Sequence, residues 1–342
     1  MKLSRIVLTG VAGIMSLSLA ACGGGANSDG GGSKTVFKLA FNQTEKHPQY
    51  LAGVALGEKL EEATDGRYSV RVYPNEQLGN QADVMQNVSN GTVDMAWTAA
   101  GIMEGYNPDF IVFNLPYVFD SIEAQTAVMD GSEALDELFT SLEDSKSLTV
   151  LAGVSAGVRN IYNSKGPIRT PQDLRGLKLR VQQSESQVTM IEAMGAIASP
   201  MSQGDVYSAI QTGVLDGAEN NESVYDGLKH SEVAKYYSYT KHLIIPDYLL
   251  MNSDTLNGMS DEDRQALLDL IPEVRKIAND GIVEYCAESI EHAKSIGAAF
   301  NDDVDADAFK ALVQPMVQSA IADNPLRQTL YASVESANKA TA

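Results

Sequence analysis

The chain has 342 residues, 44% of them hydrophobic and 20% charged, with 45 acidic against 25 basic side chains and a formal net charge of −20. Such a balance is too apolar for disorder, long enough for about two domains, and repelled by phosphate backbones, which excludes generic nucleic-acid binding. Two cysteines and four histidines supply no disulfide framework and little material for a metal site.

Lys2 and Arg5 precede an apolar run from Ile6 to Leu19, which ends in Leu19-Ala20-Ala21-Cys22. A basic start, a short hydrophobic stretch and small residues at a cleavage site predict a secretion signal over 1–21, too short for a permanent span. The spelling is that of a bacterial lipobox, so Cys22 is expected to become the first mature residue and to carry acyl chains into a lipid bilayer. Residues 22–35, rich in Gly, Ser, Asn and Asp, read as a flexible tether to a body outside the cytoplasm.

Alternation from Val36 to Phe41 predicts a strand ending at Asn42. After His47-Pro48 a helix is expected to turn Leu51, Val54, Ala55, Leu60 and Ala63 inward, with Asp65-Gly66 closing it. A second strand runs from Tyr68 to Tyr73 and stops at Pro74, completing a βαβ unit. Residues 84–96 and 206–218 carry the same helix–Gly–strand pattern, around Gly91 and Gly213. This is either the ordinary recurrence of such units in α/β folds or two similarly wound lobes, one in each half of the chain. From Ser260 to Gly297 the pattern is helical, with Pro272 marking a break or kink, and is long enough to brace two lobes.

Three motifs invite chemistry. Gly153-Val154-Ser155-Ala156-Gly157 matches the G-x-S-x-G elbow of serine hydrolases, making a secreted hydrolase using Ser155 the rival reading from another class. The run after it, Val158 to Tyr162, alternates like a strand where the elbow needs a helix, so these glycines are better suited to a chain crossing. Asp303, Asp305 and Asp307 imitate a calcium loop, but Ala308 stands where glycine is needed, and N-capping by Asp305 or Asp307 accounts for them better. Cys286 lies in a helical pattern and reads as a small buried hydrophobe. No P-loop, dinucleotide fingerprint or HExxH occurs, and neither cofactor nor metal is expected.

The stretch from Arg159 to Asn221 stands out. Arg180 lies in the alternating run Leu177-Lys178-Leu179-Arg180-Val181, on the face opposite the leucines, and Glu219-Asn220-Asn221 closes a further strand. By spacing alone both arginines are as well explained by solvent exposure or by structural carboxylates.

Those residues resemble the solute-receptor family of TRAP (tripartite ATP-independent periplasmic) transporters, in its DctP-like, uronate-type members. The likeness runs in order through Tyr73-Pro74-Asn75-Glu76-Gln77-Leu78-Gly79 and Asn114-Leu115-Pro116-Tyr117. It continues from Gly157 to Ser164, from Asp173 to Val181, and from Gly204 through Gly213 to Asn221. It implies an α/β, two-lobed periplasmic-binding-protein-like fold, with a mixed, mostly parallel sheet in each lobe and a long bracing helix. Lobe I is expected over 36–156 plus 246–285, and lobe II over 157–245 plus 286–342. The implied function is a monomeric receptor, not an enzyme, that hands a small organic acid to TRAP membrane subunits.

The resemblance assigns the carboxylate clamp to Arg180, the second ligand-side arginine to Arg159, and a second-lobe polar contact to Asn220. A guanidinium suits the first role because it offers two parallel charge-assisted hydrogen bonds. Asn221, Gln182 and His47 look like members that bind uronates, and with Asn42 and Gln43 they offer neutral partners for sugar hydroxyls. His47 is alternatively a helix-entry residue, and Trp97 either faces a sugar ring or fills a core. The sialic-acid members carry an acidic residue on the strand that here reads Trp97-Thr98-Ala99-Ala100, which argues against that ligand. The rival within the family is a C4-dicarboxylate or keto-acid receptor.

Overall fold

The computed structural model describes residues 34–342, so the signal, the lipobox Cys22 and nearly all of the tether lie outside the described residues. The first half of the body holds β1 (Thr35–Ala40), α1 (Pro48–Ala63), β2 (Tyr68–Tyr73), α2 (Gln81–Ser89), β3 (Met95–Ala99) and α3 (Ala100–Met103). A 3-10 segment at Pro108–Asn114 leads to α4 (Ile122–Met129), α5 (Glu133–Thr140), α6 (Glu143–Lys146) and the long β4 (Leu148–Asn163). Then come β5 (Lys178–Val181), α7 (Glu185–Ala193), β6 (Ile197–Pro200), α8 (Val206–Gln211), β7 (Gly217–Asn220), α9 (Glu222–Gly227) and α10 (His230–Val233). The chain returns along β8 (Tyr236–Asn252) and ends with α11 (Ser253–Asn257), α12 (Asp261–Ser295), β9 (Ala299–Asn301), α13 (Ala306–Ile321) and α14 (Pro325–Thr341).

The strands form one nine-stranded sheet in the order β2-β1-β3-β8-β4-β7-β5-β6, with β9 beside β8. β1 pairs in parallel with β2 and β3, and β5 with β6 and β7, while β3–β8, β4–β8 and β4–β7 are antiparallel. The sheet is thus mixed and mostly parallel, as expected. The two lobes, one around β1–β3 and one around β5–β7, share it because β4 and β8, of 16 and 17 residues, run through both. Midway along β4 the register slips between Ser155 and Val158 opposite Pro246 and Ile244, and Gly157 there has a φ of 82°. A side chain is strained in that left-handed conformation, which explains glycine at the slip.

The βαβ unit forms over the predicted residues, and Leu60 is buried as expected, but the packed face of α1 is rotated away from Leu51 and Ala63. Ala52, Gly53, Leu56, Gly57 and Leu60 are buried, whereas Leu51 is 51% exposed and Ala63 is also exposed. The reason is steric: a Cβ on Gly57 would lie 2.4 Å from the Val70 carbonyl oxygen, so the glycine stripe, not the bulkiest stripe, meets the sheet. The two helix–Gly–strand units are α2–β3 and α8–β7, and Gly91 and Gly213 have the same φ of 75° one residue beyond the helix caps.

Helix α12 runs its 35 residues through Pro272 in one piece. Proline removes the donor for the Leu268 carbonyl, and Leu268 lies on the exposed side of the helix, where a lost backbone bond costs least. Ser260 caps its start, three acids fill its first turn and His292 and Lys294 its last, all matching the helix dipole. It lies on α1, β4 and α9, and so braces both lobes. Helix α14 packs on α4, α5 and the 108–114 segment, all of which precede β4 in the chain.

Candidate functional site

β5 is a short strand whose Leu179 and Val181 face a core, which turns Arg180 to the side of exposed Lys178. Arg180 is nevertheless only 4% exposed. Its Nε donates to the Met201 carbonyl at 2.8 Å and one Nη to Gln203 Oε1 at 3.2 Å, both neutral acceptors. These use two of the five N–H groups of a guanidinium, and Arg180 forms no ion pair among the described residues. Burial pulls its pKa down to about 10, with Arg159 pushing the same way against Glu219, so the cation persists at neutral pH.

Arg159, on β4, has a different environment. Its Nε and Nη2 each reach a Glu219 carboxylate oxygen at 2.6 Å, Nη2 also donates to the Glu219 carbonyl, and Nη1 donates to Asn220 Oδ1 at 2.9 Å. Both partners are buried, Arg159 at 2% and Glu219 at 0% exposure. Burial opposes both charges, but the mutual attraction wins: the arginine is held above its usual range and the glutamate below. His242, also buried, brings Nε2 to 3.4 Å from Glu219 off hydrogen-bond alignment, and burial keeps that imidazole neutral.

The neutral residues fall into two groups. Asn220, at the C-terminal end of β7, uses Oδ1 to accept from Arg159 and from the Asn221 N–H, and its Nδ2 has no partner among the described residues. Gln182, just past β5, accepts from Gln187 Nε2 at 2.9 Å and leaves its own amide N–H groups unengaged. Asn42 and Gln43 follow β1, and their side chains likewise make no hydrogen bond among the described residues. His47 takes the helix-entry place: its Nδ1 caps α1 by accepting from the Gln49 N–H at 3.3 Å, and its ring lies between Phe41 and Tyr285. Burial pulls His47 down to about 3, so it is neutral, with the proton on Nε2.

Two residues have structural duties. Asn221 accepts from Val224 N and Ser223 Oγ and donates to the Ala156 carbonyl, tying the start of α9 to the crossing in β4. Trp97 is 2% exposed in the core beneath α1, though its indole N–H has no partner.

Sequence reasoning passed over three acids. Glu219 lay in a quoted motif, but its pairing with Arg159 depends on β4–β7 register, which spacing does not give. Asp247, in β8, accepts from Gln49 Nε2 at 2.9 Å, and burial holds its carboxyl above the usual range. A lone acid within Leu243-Ile244-Ile245-Pro246-Asp247-Tyr248-Leu249-Leu250 was the available signal. Glu76 follows β2 in a left-handed turn with φ 56°, and its carboxylate lies against Gly204, close enough to feel the charge of Arg180.

The other motifs fall elsewhere. Ser155 lies inside β4, is 1% exposed, and its Oγ accepts from the Gly157 N–H at 3.1 Å; no nucleophile elbow is built. Asp305 caps α13 through the Ala308 N–H. Cys286 is half-buried rather than fully buried, because it borders a cavity of about 550 Å³ with Glu222, Val158 and Asn160. Val158 and Asn160 alternate with Arg159, so this cavity opens on the other face of β4. Burial there raises the Cys286 thiol to about 12 and the Glu222 carboxyl to about 7.

A buried cation facing amides at the C-terminal ends of strands fits an anion receptor, and comparison with known proteins agrees. The family model described as bacterial extracellular solute-binding protein, family 7 (DctP), matches residues 39–324. A solute-binding protein of Chromohalobacter salexigens is 35% identical over 300 residues, covering 85% of this chain and 87% of its own. A TRAP periplasmic solute-binding protein from Anaerococcus prevotii, solved with bound D-glucuronate, superposes with a TM-score of 0.87 at 34% identity, covering 90% of this chain and 99% of that one. Another from Sulfitobacter, solved with β-D-galacturonate, gives a TM-score of 0.83 at 33% identity over 88% and 100% of the two chains. The chain belongs to the DctP family of bacterial extracellular solute-binding proteins, a family of transport receptors rather than enzymes.

Proposed function

We propose that this protein is the receptor of a TRAP transporter and captures a hexuronate such as glucuronate or galacturonate. The observation that carries the reading is Arg180: a buried guanidinium with no acid in contact and three N–H groups unused among the described residues. An isolated buried charge is costly, and a ligand carboxylate relieves that cost with two parallel hydrogen bonds. Arg159, neutralised by Glu219, orients Asn220 and offers one further N–H. Asn220, Gln182, Asn42, Gln43 and His47 supply donors and acceptors for hydroxyl groups. The uronates bound by structural relatives support the ligand class.

In this reading the lobes meet at the register slip near Ser155 and Pro246 and close over the ligand by hinge motion, which the membrane subunits sense. Lobe I spans 36–156 plus 246–285 and lobe II 157–245 plus 286–342, although the packing of α14 on α4 and α5 supports counting that helix with lobe I. The mature protein is a monomer held outside the cytoplasm by acylated Cys22. A thermal-shift panel of glucuronate, galacturonate, succinate and pyruvate tests the ligand. Stabilisation by a uronate supports the reading, and stabilisation by succinate or pyruvate alone contradicts it. Incorporation of labelled palmitate, abolished in Cys22→Ala, tests the anchor.

A further inference from the structure

We propose that Asp247 and Glu76 restrict the cleft to singly charged acids by rejecting any ligand with a second carboxylate. The inference rests on the reading that the ligand lies on Arg180 between the two lobes. The charge count begins with the arginines. Glu219 cancels Arg159 through two contacts of 2.6 Å in a fully buried pair. One guanidinium without an ion-pair partner among the described residues, Arg180, remains in this cluster, with hydrogen-bond donors for one carboxylate.

The acids flank this cluster from the lobe opposite Arg180. Asp247 lies on β8 opposite Ala99 at the C-terminal end of β3 and opposite Val154 of β4. One of its oxygens accepts from Gln49, and the other has no partner among the described residues. Asp247 is half-buried rather than fully buried. Glu76 is carried on two successive left-handed residues, Asn75 and Glu76, at φ 55° and 56°, pinned by Asn75 N–H to the Gln43 carbonyl and Glu76 N–H to the Phe41 carbonyl. That strained turn aims its carboxylate across to Gly204, and its Oε1 is buried without a partner. Neither acid forms an ion pair among the described residues.

An ionised carboxylate only accepts hydrogen bonds. A hydroxyl-rich ligand donates to Asp247 and Glu76, whereas a second carboxylate has nothing to donate and meets like charge in a poorly solvated space. Burial raises both carboxyl groups above their usual range, as two acids without contact cations require. Selection here is by repulsion as much as by fit.

Calorimetric titration with D-glucuronate and D-glucarate tests this, since glucarate carries a second carboxylate at C1. At pH 8 we expect glucuronate to bind at least about 100-fold more tightly, with Asp247→Asn and Glu76→Gln each narrowing that ratio at least about tenfold through stronger glucarate binding. Equal affinities in the unaltered protein, or an unchanged ratio in both variants, overturn the proposal while leaving uronate binding intact. Should Asp247→Asn fail to fold, Glu76→Gln, on a turn outside the core, decides alone. If neither sugar acid binds, the uronate reading itself fails and the charge rule is read on lactate against malate: preference for lactate supports it, and malate bound equally or better overturns it.

Discussion

Arg159 and Arg180 lie two strands apart in one sheet, separated by β7, and both are almost fully buried, yet their partners are opposite in kind. Arg159 is nearly saturated: a carboxylate, a carbonyl and an amide occupy four of its five N–H groups, and the neighbouring His242 adds a neutral wall. Arg180 is held in place by one carbonyl and one amide, with no ion-pair partner among the described residues. In the reading proposed above, the first serves mainly the folded chain and the second is kept for the ligand carboxylate. A motif that lists two arginines conceals this division, because it follows from which strand lies beside which.

Substitutions break the comparison cleanly. The largest expected effect is on binding: Arg180→Ala should lose about 3–5 kcal/mol of uronate affinity by calorimetry while leaving the melting temperature unchanged or raised. Glu219→Ala, which strands Arg159, should instead lose about 3–5 kcal/mol of unfolding free energy in a denaturant titration. If the two variants exchange signatures, the division is wrong.

The pH dependence of stability sharpens the picture at the cavity on the other face of β4. Glu222 has a folded value raised to about 7, so the folded state binds its proton more tightly than the unfolded state does. The stability this contributes is fully present below the unfolded glutamate value and is lost as pH rises towards and through 7. Glu222→Gln should therefore gain on the wild type between pH 5 and pH 8, by up to about 3 kcal/mol. A constant difference across that range would show the carboxyl to be ordinary.

Smaller effects separate packing from capping. Gly57→Ala should cost about 1–3 kcal/mol, since its Cβ would lie 2.4 Å from the Val70 carbonyl oxygen. Asn221→Ala should cost about 1 kcal/mol through the lost cap on α9, with a smaller effect on affinity than Arg180→Ala. A loss of affinity as large as that of Arg180→Ala would move Asn221 from structure to ligand binding.

Much of the fold was legible in the chain. Period-two and helical patterns located β1, α1, β2 and α12, and Gly91 and Gly213 marked two helix ends of identical geometry. What escaped depended on contacts distant in sequence. The packed face of α1 was misread because hydrophobicity is silent about glycine, and here glycine is what lets the helix touch the sheet. The continuity of α12 through Pro272 depends on an exposed carbonyl, and the shared sheet depends on the length of β4 and β8 beyond one lobe. In the candidate site, the side of β5 that Arg180 takes was readable from the alternation of its strand. The pairing of Arg159, and the reach of Glu76 and Asp247 towards the arginines, required the register of β4 with β7 and β8 and the turn after β2.

A crystal structure of the protein with D-glucuronate tests the central claim most directly. The account predicts both carboxylate oxygens of the sugar within hydrogen-bond distance of the Arg180 guanidinium, with the Arg159–Glu219 pair intact behind it. A carboxylate bound elsewhere, with Arg180 still facing only Met201 and Gln203, would contradict it.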